Sequence, residues 1–326
     1  MSAEQFARQS QMAPLGRGVR AYVAPIDRTT ETFVPFDPSR QGQFDLDSPM
    51  PPYIDLGWIE NFQRRATTKF ETLRNAPHGA VGTQYRSQPD ALVEFDFPSW
   101  GKIQMALAGG TQQMNVLATP PTSYPQGSGG TAIPASYVRD GSNDYLVVLD
   151  PGEMDNYNVG DVVAVEWDYT GGTGYIGSGA PAAYLPTALD PQSHKDYARR
   201  VTFNISRVES KTTTELGLSQ RLIGGAATGM GVQKVAAFVD REGGSYIQEW
   251  SGLFVVPGDA GGRICFFYPR LQPFQSNSEG RQDWASPIFN TTMHVSLRGL
   301  PSVDPNDGES VLCYRSYFPA TNAAVY

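Results

Sequence analysis

"ALVEFDFPSWGKIQMALAGG", residues 91 to 110, changes its hydrophobic period halfway along. In its first part Ala91, Val93, Phe95 and Phe97 alternate with Leu92, Glu94 and Asp96. A period of two puts the first set on one face of a strand and the second on the other, so a half-buried strand is expected. From residue 98 the apolar positions Trp100, Ile103, Ala106 and Leu107 follow three- and four-residue steps. That spacing predicts a short amphipathic helix, with Ser99 near its start and Gly109-Gly110 ending it. "TQQMNVLA" (111–118) then resumes as extended chain.

Strand patterns spread outward from this stretch. "YIDLGWIENFQR" (53–64), "TKFETLR" (68–74) and "GAVGTQYR" (79–86) precede it, with Asn75-Ala-Pro and Ser87-Gln-Pro-Asp90 expected as turns. After residue 200 come "VTFNISRV" (201–208), "VQKVAAFVD" (232–240), "SYIQEWSGLFVV" (245–256), "RICFFY" (263–268), "TTMHVSL" (291–297) and "SVLCYRSYF" (310–318). "DREGG" (240–244) and "PGDAGG" (257–262) have the composition of hairpin turns. Between the two groups the break "TPPTSYPQGSGG" (119–130) opens a segment with strands of its own, "DYLVVLD" (144–150) and "DVVAVEWDY" (161–169). The expected fold is mainly β: an antiparallel sandwich or barrel-forming subunit, one short flanking α-helix and an inserted β-rich subdomain. The expected organisation is an N-terminal arm (1–30), a first sandwich part (31–118), the insertion (119–199) and a second sandwich part with the C-terminal strands (200–326).

Composition agrees with many short strands. The 326 residues include 34 Gly and 25 Pro, a turn-rich share. Against 25 Lys and Arg stand 33 Asp and Glu, a net charge of −8. An acidic chain is poorly suited to gripping DNA or an anionic membrane, because phosphate neutralisation drives that kind of affinity. No stretch approaches the roughly 20 apolar residues of a membrane helix. The first 20 residues lack the apolar core of a secretory signal, so synthesis in a reducing cytoplasm is expected and the sequons at Asn204 and Asn290 are read as incidental. Cys265 and Cys313 stand in apolar runs without C-x-x-C spacing, and two buried thiols are expected. A single disulfide between them is left open by the sequence.

The signatures of chemistry fail one by one. Gly172, Gly174 and Gly177 have the spacing of a dinucleotide loop after a strand-like run. That loop needs a helix directly behind it to hold the pyrophosphate, and Pro181 and Pro186 interrupt the chain there. A glycine-rich connecting loop is the better reading, and no cofactor is expected. His78, His194 and His294 are far apart and none has metal-ligand spacing, so no metal is expected either. "DPNDGES" (304–310) lacks the closing Glu of a calcium loop and is read as a turn. Glu94 with Asp96, and Asp240, Glu242 and Glu249, are carboxylates that a glycosidase would use, but solvated acidic faces explain them as well. No catalytic residue is assigned. Trp58, Trp100, Trp167, Trp250 and Trp284 are expected mostly in core positions, although a glycan-binding β-sandwich would use such rings as exposed platforms.

Two stretches taken whole resemble the tail tube proteins of tailed bacteriophages and prophages. One runs from "YIDLGWIENF" to "QMNVLA" (53–118). The other is "RRVTFNISRV" (199–208) with "VAAFVDREGGSYIQEWSGLFVVPGDAGGRICFFYPRLQ" (235–272). The resemblance implies a non-enzymatic structural subunit that forms hexameric rings stacked into a hollow tube. Its partners would be copies of itself, a tape-measure protein, a tail terminator, baseplate or tip proteins and, in a contractile tail, a sheath. DNA would pass through without specific binding, and the site of action would be the virion tail, assembled in the bacterial cytoplasm. Glu94 and Asp96 are then expected to face the channel, because their strand buries its other face. The alternative is the glycan-binding β-sandwich module, with no membrane role in either case.

Overall fold

The structure, a computed structural model, describes residues 18–26, 36–38, 53–73, 83–98, 101–110, 112–117, 136–166, 204–222, 225–241, 249–258, 262–274 and 292–318. Its strands, in chain order, are β1 (Val19–Pro25), β2 (Ile54–Leu73), β3 (Thr83–Phe97), β4 (Gln112–Leu117), β5 (Ser136–Tyr137), β6 (Leu146–Val148), β7 (Val162–Glu166), β8 (Ile205–Lys211), β9 (Glu215–Leu218), β10 (Gly231–Arg241), β11 (Trp250–Pro257), β12 (Arg263–Pro273), β13 (Met293–Gly299), β14 (Ser302–Val303), β15 (Ser310–Val311) and β16 (Tyr314–Phe318). One α-helix, α1 (Lys102–Gly109), and a 3-10 turn at Pro151–Asn156 join them. The fold is mainly β, and its strand pairs are antiparallel, as expected.

The first sheet has the order β11-β1-β2-β3-β13-β12-β16, and β11 also pairs with β12. Six strands therefore close into a circuit within one chain. The seam is narrow at β12–β13, where only Leu271, Gln272 and Pro273 find partners. The rest of that β12 edge is taken by β16. Ala91, Val93, Phe95 and Phe97 point inward and are buried, as their alternation dictates. They meet Met293, Val295 and Leu297 from β13, Phe254 and Trp250 from β11, and Ala106 and Leu107 from α1. On the opposite face of β1, β11 and β12 lies a second layer of Tyr22, Leu253, Val255, Cys265 and Phe267. Burial on both faces explains why "GLFVV" (252–256) reads as an unbroken apolar run rather than an alternating one.

Several expectations are corrected. The N-terminal arm was expected through residue 30, yet Val19–Pro25 is a strand between β11 and β2 with both faces covered. Segments 53–64 and 68–74 form one 20-residue strand. Segments 79–86 and 91–97 are likewise continuous from Thr83, and Ser87–Asp90 is strand rather than turn. Pro89 is tolerated because β13 ends opposite Ala91, which leaves β3 an edge strand beyond that point. The helix begins at Lys102 behind Gly101, and Ser99 lies outside the described residues. Gly110 ends it in the left-handed conformation, φ 60°, as the paired glycines required.

The second sheet runs β4-β10-β7-β8-β9-β6, with β5 on β10. Its own core is Val138, Val147, Leu149, Tyr157, Val163, Val165, Val208, Leu216 and Val232 among others. Strands β8, β9 and β10, expected in the second sandwich part, thus pack with the middle segment. The expected insertion border at residue 199 does not match the change of sheet. Alternation alone could not reveal it, because these strands bury one face in either arrangement. For the same reason "DREGG" does not fold β10 onto β11, which belong to different sheets. "PGDAGG" does join β11 to β12, closed by Gly258 N–H donating to the Gly262 carbonyl at 2.7 Å.

Candidate assembly surface

β2 and β3 pair from Glu60–Asp96 out to Leu73–Thr83, whereas β13 covers β3 only from Ala91 to Phe97. Among the described residues the outer parts, Ala66–Leu73 and Thr83–Asp90, therefore form a two-stranded ribbon that extends beyond β13. Exposed residues stand on both of its faces, Phe70 and Arg86 on one and Glu71 and Tyr85 on the other. Phe70, 53% exposed, shares a face with Arg86, and Tyr85, 44% exposed, shares the other with Glu71. The Tyr85 hydroxyl donates to Glu71 Oε2 at 2.6 Å. Lys69 and Arg86 are exposed along it and Arg65 at its root, with Glu71 as the exposed anion. A ribbon of two strands without a third strand or a packed face is marginal on its own in water.

The ribbon is anchored at its root. Arg64 Nε donates to the Tyr268 hydroxyl at 3.1 Å, and its guanidinium lies 4.6 Å from the Phe266 ring centre. Burial opposes the Arg64 charge, but the Tyr268 and Cys313 groups hold its pKa above the ordinary value. Asp90 pairs with Arg298 at 3.2 Å, and Arg298 stacks 3.9 Å from the Phe274 ring centre.

Glu94 and Asp96 lie one step further in, on the outer face of β3, as expected. They are half-buried and unequal. Asp96 accepts from Asn61 Nδ2 at 2.6 Å and lies 2.7 Å from His294 Nδ1. Glu94 sits in register with Gln63 and Ser296. Asn61 is in the left-handed region, φ 52°, at a bulge where Glu60 opposes Asp96 but Gln63 opposes Glu94. The extra residue turns Phe62 into the core, 5.1 Å from the Phe254 ring, and aims the Asn61 amide at Asp96. Nothing in "WIENFQR" announces that bulge. The face is mixed in sign, because Arg65 and Arg298 stand beside Glu60, Glu94 and Asp96.

The other carboxylates named from sequence do not gather here. Glu249 is buried and accepts from Arg270 Nη2 at 2.9 Å and Gln272 Nε2 at 2.6 Å, a structural pair. Asp240 is in β10, and Glu242 lies outside the described residues. Among the described residues no group of three His, Cys, Asp or Glu could hold a metal. His78, His194 and the 172–177 glycines lie outside the described residues. The strand ahead of those glycines, β7, pairs antiparallel with β10 and β8, whereas a dinucleotide fold needs it in a parallel sheet. "DPNDGES" is a turn between β14 and β15. Asp304 Oδ1 accepts from the Asn306 N–H at 2.9 Å, and its Oδ2 accepts from the Tyr314 hydroxyl at 2.7 Å. These bonds hold the Asp304 carboxyl below its usual pKa.

Cys265 and Cys313 are unpaired. Of the tryptophans, Trp250 is buried, but Trp58, expected in the core, is exposed. Trp100, Trp167 and Trp284 lie outside the described residues. Asn204 is buried and donates to the Val165 and Gly225 carbonyls at 2.6 and 3.0 Å, so its amide is engaged as a structural tie. Asn290 lies outside the described residues. No described helix is long and apolar enough to cross a membrane. The sequence matches no model of a known protein family and no curated protein.

Proposed function

We propose that this chain is a structural subunit that assembles with copies of itself into stacked hexameric rings, a hollow tube of the kind that conducts DNA in a bacteriophage tail. The observation that carries this reading is the β2–β3 ribbon. Two strands run beyond their sheet with an aromatic residue exposed on each face, and such a ribbon gains its stability from a neighbour. Sheet edges support it. β16 ends the first sheet, and β4 and β6 end the second, among the described residues. Such edges pair readily with another chain. The tube resemblance of residues 53–118 and 199–272 points the same way. Because the six-strand circuit closes within one copy, sister copies would add to these remaining edges and to the ribbon rather than seal the barrel itself.

Head-to-tail contacts close into a ring when their rotation permits, and ring faces then stack. Negative-stain microscopy of the concentrated protein tests this, with six-fold rings or tubes as the expected result. Sedimentation showing a monomer at every concentration would overturn it.

A further inference from the structure

We infer that the β2–β3 ribbon docks on a second copy of this chain at the acidic β14–β15 turn, residues 303–309. This rests on the self-assembly reading and names the surface that would receive the ribbon.

Two exposed features of the chain are complementary. The ribbon offers Lys69 and Arg86 interleaved with the exposed rings of Phe70 and Tyr85, and Arg65 stands exposed at its root. Of its two carboxylates, Glu71 is engaged by the Tyr85 hydroxyl and Asp90 is paired with Arg298. Thus an aromatic arm with Lys69 and Arg86 exposed on it, and Arg65 exposed at its root, projects from a chain whose net charge is −8. The turn offers the opposite. Asp304, Asp307 and Glu309 fall within six residues, and no Lys or Arg lies between Leu300 and Tyr314. Their hydrogen-bond partners are neutral: the Asn306 amide groups and Tyr314 hydroxyl for Asp304, and the Glu309 N–H for Asp307. Beside them Val303 is 66% exposed, an apolar contact for a ring. In the second sheet, by comparison, Asp144 is paired with Arg221, Asp150 with Arg139 and Asp161 with Lys234. The turn is stiffened by the Asp304 N–H donating to the Glu309 carbonyl at 2.8 Å, so little order is lost when it is covered.

The full chain is assayed for assembly by light scattering and sedimentation across a salt series. Three variants accompany it: R65E/K69E/R86E, D307K/E309K, and the two sets combined. All five positions are exposed, and thermal melting checks each fold. Each set alone is expected to raise the concentration needed for assembly about tenfold or more, because like charges then face each other. The combined variant is expected to return toward wild type, which also shows that the altered chains fold. Assembly of the wild type should weaken as salt rises. If both single sets assemble like wild type, or if the combined variant is no better than either, the docking assignment is overturned while the self-assembly reading stands. If the wild type itself never assembles, both fall.

Discussion

Asn61 shows how one residue can set the direction of several others. Its left-handed backbone creates the bulge, the bulge sends Phe62 inward, and its amide ties down Asp96. Asn tolerates this conformation and a β-branched residue does not. N61V is therefore expected to lower unfolding stability by about 2 kcal/mol, from backbone strain plus the lost hydrogen bond. N61G, which loses only the bond, should cost less, and urea denaturation separates the two. Cys265 carries a second prediction. Burial pushes its thiol from 9.0 up to about 12, and burial likewise pushes the Tyr268 hydroxyl from 10.0 up to about 12. Both groups are folded in their neutral forms. Their contribution is complete below the ordinary values near 9 and 10 and is lost as pH rises toward 12. The slope is about 1.4 kcal/mol per pH unit for each group in that window. Denaturation midpoints measured from pH 8 to 11 should fall, and C265V should flatten the earlier part of the fall.

At the scale of elements, the strand-to-helix change at 91–110 was legible because both periods are clean and the glycine stop is unambiguous. Gly110 is also where the helix meets β12. A Cβ there would stand 2.1 Å from Pro273 Cγ, on a backbone with φ +60°. G110A is expected to cost at least about 2 kcal/mol, read as a lowered melting temperature, because strain and clash add. Other elements were less legible for definite reasons. Arg65-Ala-Thr-Thr looks like a gap in a hydrophobic pattern, but a ribbon exposed on both faces has no pattern to keep. Ser87-Gln-Pro-Asp90 has turn composition, yet an edge strand accepts proline. The β1 strand was missed because both its faces are covered, by the barrel core and by the Tyr22 layer, which erases the alternation that marks a half-buried strand.

At the scale of the whole molecule, the outer face of β3 was legible, but the different work of its two carboxylates was not. Alternation places Glu94 and Asp96 side by side; only the bulge on β2 and the approach of β13 make Asp96 structural. If this face lines a channel, the two substitutions must part. D96K removes the partner of Asn61 and His294 and should destabilise the subunit before any effect on the channel can be seen. E94K leaves both of those bonds in place, so rings and tubes should form as in the wild type. It changes the local charge by two in each copy and repeats that change six times around a ring. Since Arg65 and Arg298 already stand nearby, the added lysine should tip a mixed wall toward cationic and make it hold phosphate. Assembled E94K tubes are expected to retain short double-stranded DNA at low salt and release it as salt rises, where wild-type tubes retain little. Equal retention by the two, with tubes confirmed by microscopy, would place Glu94 away from the lumen and leave the channel wall to other strands.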